Sequence, residues 1–407
     1  VVAVPATTHS AAAPPVTSTN RSAALDGLRG VAVLGVLAFH TGLLPGGFLG
    51  VDLFFALSGY LITDLLLREV AATGTVSLRA FWGRRTRRLL PATAVLLLVT
   101  GAGTVLFGPP DLARSTLSDG PWVQLNLQNW HLLAESASYW DRFGQQRVFE
   151  HLWSVAVEEQ FYLAWPLLVV LLARGADRAG SRVLLAAALL SLGSVVLMAV
   201  LADPVDPTRV HTGTDTRAFS LLVGAAAATG PVRAFLARLP GRWPGGSAAA
   251  AAAGIAAALL LVDGERAPLL FTGGLALFSV AAALLIALCV QAPRSWVARL
   301  LAVRPLTGAG RISYALYLWH WPVIVLLPGG PGDPLWTVTV CAVSVGAAIL
   351  STVLVEDPVR FRAGWARGRS GLAAVVTVTI GLAVLWAVLW VVLPAPPPVV
   401  VDVSRLG

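Results

Sequence analysis

The 407-residue chain contains no lysine, and only 12% of its residues are charged. A soluble domain usually carries about 25% charged residues. Too little polar side chain is present to coat a water-soluble globule of this length, and too much apolar residue for a disordered chain. Cysteine is scarce too: Cys289 and Cys341 are the two present, both inside apolar runs. That excludes a disulfide framework, and no HxxxH, HxH or CxxC spacing announces a metal centre. What the chain has instead is 57% hydrophobic residues, 14 Trp and 39 Gly, the composition of a membrane helix bundle. All 29 basic residues are Arg, which with the Ala, Gly and Val bias points to a GC-rich bacterial genome. A net charge of +8 would suggest nucleic acid in a soluble protein. Here the arginines fall between apolar runs, which is a topology pattern and excludes nucleic acid as partner.

A bilayer requires about 20 apolar residues per crossing. The hydrophobic runs predict an all-α, polytopic bundle of about 10–11 transmembrane helices, near residues 27–45, 49–68, 89–107, 152–173, 183–201, 216–229, 247–262, 268–290, 311–328, 335–355 and 371–393. The sixth and seventh are short or Ala-rich. Between the third and fourth, residues 109–150 form a long polar connection whose stretch from Trp122 to Leu133 is amphipathic, suited to dipping into the interface or adding a partial span. Alternate loops are Arg-rich, starting with Arg84 to Arg88, and the positive-inside rule puts them and the N-terminus in the cytoplasm of a bacterial inner-membrane protein. Eleven spans leave the C-terminus outside. Residues 1–22 read as a disordered cytoplasmic tail, 23–370 as the main membrane domain, 371–393 as an additional span, and 394–407 as an external Pro-rich linker that resembles the lead-in to a further domain. No internal repeat of the transporter kind is evident.

Ionisable residues inside a membrane are expensive and ask for a reason. Arg29 and His40 stand 11 residues apart in the first span, which on a helix returns them to nearly one face about 16 Å apart along the axis. Such a pair suits a long anionic ligand whose reactive end reaches the imidazole; an interfacial Arg and a core His would also fit. Asp52 enters the second apolar run and requires a partner, either His40 or a helix N-terminus. In FWGRRTRRLLPA, Arg84/Arg87 and Arg85/Arg88 pair at i, i+3, and guanidinium forks match phosphate oxygens, although topogenic charge alone produces similar runs. In HLWSVAVEEQFYLAWP, His151, Ser154, Glu158 and Tyr162 share one helix face. In RISYALYLWHWP, Ser313, Tyr317 and His320 do the same, and Trp321-Pro322 marks a kink or helix end. A hydrophilic groove down the bundle follows, or a purely structural polar network. Eleven spans with buried His, Asp and Glu also describe a proton-coupled transporter or flippase, the alternative that the clustered arginine pairs speak against.

Taken in order, LDGLRGVAVLGVLAFH, GGFLGVDLFFALSGYLIT, FWGRRTRRLLPA, NWHLL, HLWSVAVEEQFYLAWP and ISYALYLWHWP resemble the acyltransferase-3 family of integral membrane acyltransferases. The resemblance runs from residue 25 to about 322. It implies transfer of an acyl group, often acetyl, from cytoplasmic acyl-coenzyme A to a hydroxyl of a cell-envelope glycan, lipid or secondary metabolite. No permanently bound cofactor is implied, and membrane lipids surround the domain. The family's Arg-X10-His falls on Arg29 and His40, its RxxR pair on Arg84–Arg88, and its Trp-Ser…Glu motif on Trp153, Ser154 and Glu158. Joined to the charge reading, this assigns Arg29, Arg84, Arg85, Arg87 and Arg88 to the donor and His40 to the chemistry, either as base or as acyl carrier. Asp52 or Glu158 would orient the imidazole, and His151, Trp153, Ser154, Tyr162, Tyr317 and His320 would line the acceptor groove or face the oxyanion. One branch of the family resembles this chain in having an eleventh span leading to an external SGNH-type domain; none is expected within these 407 residues, and a separate one is an expected partner.

Overall fold

The computed structural model describes residues 19–137, 147–174, 178–239, 243–264 and 268–392. The described residues are helical with no strand. The outer parts of the predicted tails, 1–18 and 394–407, lie outside them; helix begins at Thr19, and the first apolar span within it at Ala23.

The chain runs through α1 (Thr19–His40), α2 (Gly50–Thr73), α3 (Leu78–Phe107), α4 (Pro110–Gln124), α5 (Gln128–Ala134), α6 (Trp153–Leu172), α7 (Ala179–Leu201), α8 (Thr208–Thr212), α9 (Thr214–Ala227), α10 (Gly230–Ala237), α11 (Trp243–Leu261), α12 (Gly274–Gln291), α13 (Trp296–Leu301), α14 (Arg304–Arg311), α15 (Ser313–Leu326), α16 (Pro334–Ser351) and α17 (Gly368–Val392). Helix stands at each of the eleven expected spans. Among the described residues, eight helices are long and apolar enough to cross a membrane unaided, or nine if α9 and α10, bent by 62°, count as one. The remaining two positions are α11, which is apolar but short, and the 14-residue α15. The amphipathic connection does not cross: it breaks between α4 and α5, where Asn126 takes a left-handed φ of 57°.

Helix α2 is the centre of the bundle, with 83% of its apolar window buried, whereas α16 and α17 lie at the periphery with 22% and 17%. Membrane helices gain little from the hydrophobic effect and associate through close packing, so small residues set the contacts. A Cβ on Gly59 of α2 would lie 1.8 Å from the Leu221 carbonyl of α9. One on Gly27 of α1 would lie 1.7 Å from the Leu301 carbonyl at the end of α13. These approaches hold α1, α2, α9 and α13 backbone to backbone and thereby fix where Arg29, His40 and Ser58 point.

Candidate active site

Three histidines from three elements meet at the far end of α1. His40 closes α1, His320 lies in α15, and His151 in the single turn before α6. His40 Nδ1 is 3.0 Å from His320 Nε2, and the His151 ring lies 5.4 Å from that of His320. The backbone fixes their protons. His320 Nδ1 faces the Tyr317 carbonyl at 2.7 Å and that of Leu316 at 3.2 Å, and a carbonyl only accepts, so Nδ1 carries the hydrogen and Nε2 of the neutral ring is a lone pair. His40 Nδ1 must then donate to it, leaving His40 Nε2 as the free base. By the same logic His151 Nε2, 3.2 Å from the Leu318 carbonyl, is the N–H. Its Nδ1 is a buried lone pair with no hydrogen-bond partner.

Two prolines make these contacts possible. A helical N–H normally binds the carbonyl four residues earlier, and proline has none. Pro322 therefore leaves the Leu318 carbonyl open, which is the one His151 occupies. Pro166 leaves the Tyr162 carbonyl open, and Trp82 Nε1 of α3 takes it at 3.0 Å. The helix does not end at the WHWP motif but continues to Leu326, and the motif presents an acceptor.

From the histidines two ladders of polar side chains descend on facing helices. On α6 come Ser154, Glu158 and Tyr162; on α15 come Tyr317 and Ser313, and all five line a slot of about 60 Å³. Tyr317 and Ser154 share a 2.6 Å hydrogen bond, and Tyr317 donates to the His151 carbonyl at 2.9 Å. Lower down, Glu158 accepts from both Tyr162 and Ser58. The slot opens into a vestibule of about 1170 Å³, with which it shares Arg29, Ser58, Arg85, Arg88 and Tyr162. Seven arginines line that vestibule (Arg29, Arg68, Arg84, Arg85, Arg88, Arg311 and Arg360) against four acids. Of the acids, Asp64 is paired with Arg68 and Arg233, and Glu69 lies 3.6 Å from Arg84. The guanidinium of Arg85 sits 5.1 Å from the Tyr162 ring centre. A strongly cationic chamber thus narrows to a hydroxyl-lined slot that points at the histidines.

Four of the residues expected at the site have other partners or stand elsewhere. Asp52 does not hydrogen-bond to His40; it is fully buried against Arg217 of α9, both oxygens within 2.9 Å of Nη2, and accepts from Ser220 at 2.8 Å. A carboxylate in the bundle core requires a fixed cation, and Arg217 supplies one where a histidine shared among three rings would not. Glu158 likewise binds Ser58 and Tyr162 instead of an imidazole, and the ring that orients His40 is His320. Trp153 is buried with Phe55, His211 and Arg217, away from the slot. Arg87 is absent from the vestibule; its Nη1 reaches the Ala366 carbonyl at 3.4 Å on the other side of α3. Arg217, Ser58 and the vestibule arginines Arg68, Arg311 and Arg360 escaped the sequence reading. Arg217 carried a signal, since it and Asp52 are opposite charges in separate apolar runs.

Beyond the histidines, Trp321 packs on His40 with ring centres 4.7 Å apart and donates to the Arg147 carbonyl at 2.8 Å. The Arg147 guanidinium binds Asp119 at 2.6 Å and also Glu135. Partial burial opposes ionisation of Glu135, but the hydrogen bond and charge of Arg147 outweigh it and hold the carboxyl below its usual 4.5.

The sequence pattern described as Acyltransferase domain matches residues 22–356. The chain belongs to the acyltransferase-3 family. Among its curated relatives, a putative peptidoglycan O-acetyltransferase, YrhL of Bacillus subtilis, is 41% identical over 349 residues, which cover 83% of this chain and 54% of the relative. The peptidoglycan O-acetyltransferase OatA of Listeria monocytogenes is 36% identical over 321 residues, 74% of this chain and 49% of the relative. The O-acetyltransferase OatA of Staphylococcus aureus is 37% identical over the same length, 74% and 50%. The chain spans about half the length of the curated relatives it matches. No solved structure matches it. Within the matched region, Arg29 of α1 stands at the vestibule and His40 at the histidine cluster.

Proposed function

We propose that the chain transfers an acetyl group from cytoplasmic acetyl-coenzyme A to a hydroxyl of a cell-wall glycan at the opposite membrane face, with its Arg-rich face and N-terminus inside and its C-terminus outside. The observation that carries this reading is the graded path through the bundle, from seven arginines, through a slot of hydroxyls, to three histidines. Coenzyme A has the complementary form: a polyanionic nucleotide, a slim pantetheine arm and a terminal thioester. Arginine forks bind its phosphates, and the arm follows Tyr162, Glu158 and Ser154 to Tyr317. The names of the relatives point to peptidoglycan as the acceptor.

In the reaction His40 Nε2 takes the proton of the acceptor hydroxyl while that oxygen attacks the thioester carbonyl carbon. The carbon–sulfur bond breaks, and the imidazolium returns the proton to the thiolate, leaving coenzyme A and an O-acetyl ester. His320 accepts from His40 Nδ1–H throughout and holds the ring in the required tautomer, the role a carboxylate has beside other catalytic histidines. Ser154 and Tyr317 stand at the head of the slot, and when Ser154 turns its O–H away from Tyr317 it donates to the carbonyl oxygen as charge develops there. The test is release of coenzyme A from acetyl-coenzyme A by the purified protein in the presence of soluble glycan fragments. Acceptor-dependent release that His40→Ala abolishes supports an acyltransferase. Movement of solute with no thioester cleavage would instead mark a carrier.

A further inference from the structure

A second cavity, of about 1010 Å³, lies on the other side of α3, between its first turns and those of α17. It is lined by Arg79, Arg84, Arg87 and Arg367 with no acidic residue, and its upper wall is apolar, with Trp82, Leu372 and Val375. The two helices both start at this Arg-rich face, so two positive helix ends add to the four guanidinium groups. Apart from the Arg87 contact with the Ala366 carbonyl just before it, helix α17 is fastened further along. Trp386 fills the space over Gly101 and Gly120, where a Cβ on either would come within 2.7 Å of the indole, and it donates to Gln124 at 2.9 Å. Gln124 in turn donates to the Thr379 carbonyl at 2.8 Å. Below that clasp the helices part, and among the described residues a cavity remains between them. In a bilayer such a space holds neither vacuum nor, along its apolar wall, water.

We propose that this wedge binds an anionic phospholipid of the Arg-rich-side leaflet, its phosphate among Arg79, Arg87 and Arg367 and one acyl chain lying along Leu372 and Val375. Charge complementarity selects an anionic lipid over a zwitterionic one, and the apolar wall selects a lipid over a free phosphate. Arg84 faces both this wedge and the donor vestibule, so the bound headgroup stands directly beside the larger chamber.

The experiment measures thermal unfolding of the full chain in dodecyl maltoside as phosphatidylglycerol, phosphatidylcholine or glycerol phosphate is titrated in. The expected result is saturable stabilisation by phosphatidylglycerol alone, with apparent affinity roughly 25-fold weaker in Arg87→Ala/Arg367→Ala. Arg294→Ala/Arg299→Ala, which removes the same charge from a different loop, should leave it unchanged. Leu372→Trp keeps every arginine but obstructs the acyl chain, so it should weaken binding even if the double variant fails to fold. Equal effects of phosphatidylcholine, or equal loss in the control double variant, would overturn the headgroup site. Equal stabilisation by glycerol phosphate would overturn the lipid as its occupant, and no stabilisation by any ligand would overturn the site itself.

Discussion

The proton on His40 Nδ1 is assigned by the Tyr317 carbonyl acting through His320, two hydrogen bonds and two imidazole rings away from the reactive nitrogen. Removing the base should cost about 10²–10⁴-fold in kcat, the range for general acid–base catalysis, and His40→Ala measures this as coenzyme A release. His320→Ala leaves His40 free to rotate and to hold the wrong tautomer. It should lower kcat with the donor KM unchanged, and His320→Gln, which retains an accepting oxygen, should recover part of the loss. Equal losses in the two variants would contradict the orienting role. Asp52 belongs to stability, not to this relay. Breaking a buried, hydrogen-bonded ion pair from one side costs about 3–5 kcal/mol, so Asp52→Asn should lower Tm far more than Asp52→Leu/Arg217→Met, which removes both charges.

Helix periodicity decides what the elements reveal. Four-and-three spacing placed Ser154, Glu158 and Tyr162 on one face of α6, and Ser313, Tyr317 and His320 on one face of α15, because a lone helix carries that information. It extends to the arginines: at 100° per residue Arg84, Arg85 and Arg88 fall within one arc while Arg87 turns away. Reading them as two i, i+3 pairs hid the split between vestibule and wedge. Arg85→Ala or Arg88→Ala should therefore raise the donor KM about tenfold or more, whereas Arg87→Ala should not, in steady-state titrations of acetyl-coenzyme A. Proline was legible as a helix disturbance but not as a supplier of acceptors, since the side chain that fills the open carbonyl comes from another helix. Pro322→Ala restores an N–H that competes for the Leu318 carbonyl. It should raise Tm and lower kcat about tenfold, the equivalent of one disturbed hydrogen bond.

At the scale of the molecule, length and hydropathy sufficed for an all-helical membrane bundle and for helix at every expected span. Partner choice across the bundle was not legible: Asp52 and Arg217 lie 165 positions apart, and only packing decides that the aspartate meets an arginine and His40 meets His320. The polar connection beyond the histidines has its own signature. Because Arg147 holds the Glu135 carboxyl below 4.5 in the folded chain, its contribution to stability is present above the unfolded value and is lost as pH falls through the folded one. Trp122, stacked on His131 with ring centres 5.2 Å apart, lies beside this cluster. Its environment should hold through pH 4.5 and change below it, and Glu135→Gln should abolish that transition in tryptophan fluorescence. The central claim is that one path carries the acetyl group from the Arg-rich face to the opposite one by way of His40. The most direct measurement places radiolabelled acetyl-coenzyme A on the Arg-rich side of proteoliposomes and a glycan acceptor only on the other. Labelled acceptor with wild type and none with His40→Ala is the predicted result; label that reaches the acceptor equally in the variant, or only when donor and acceptor share a side, would contradict it.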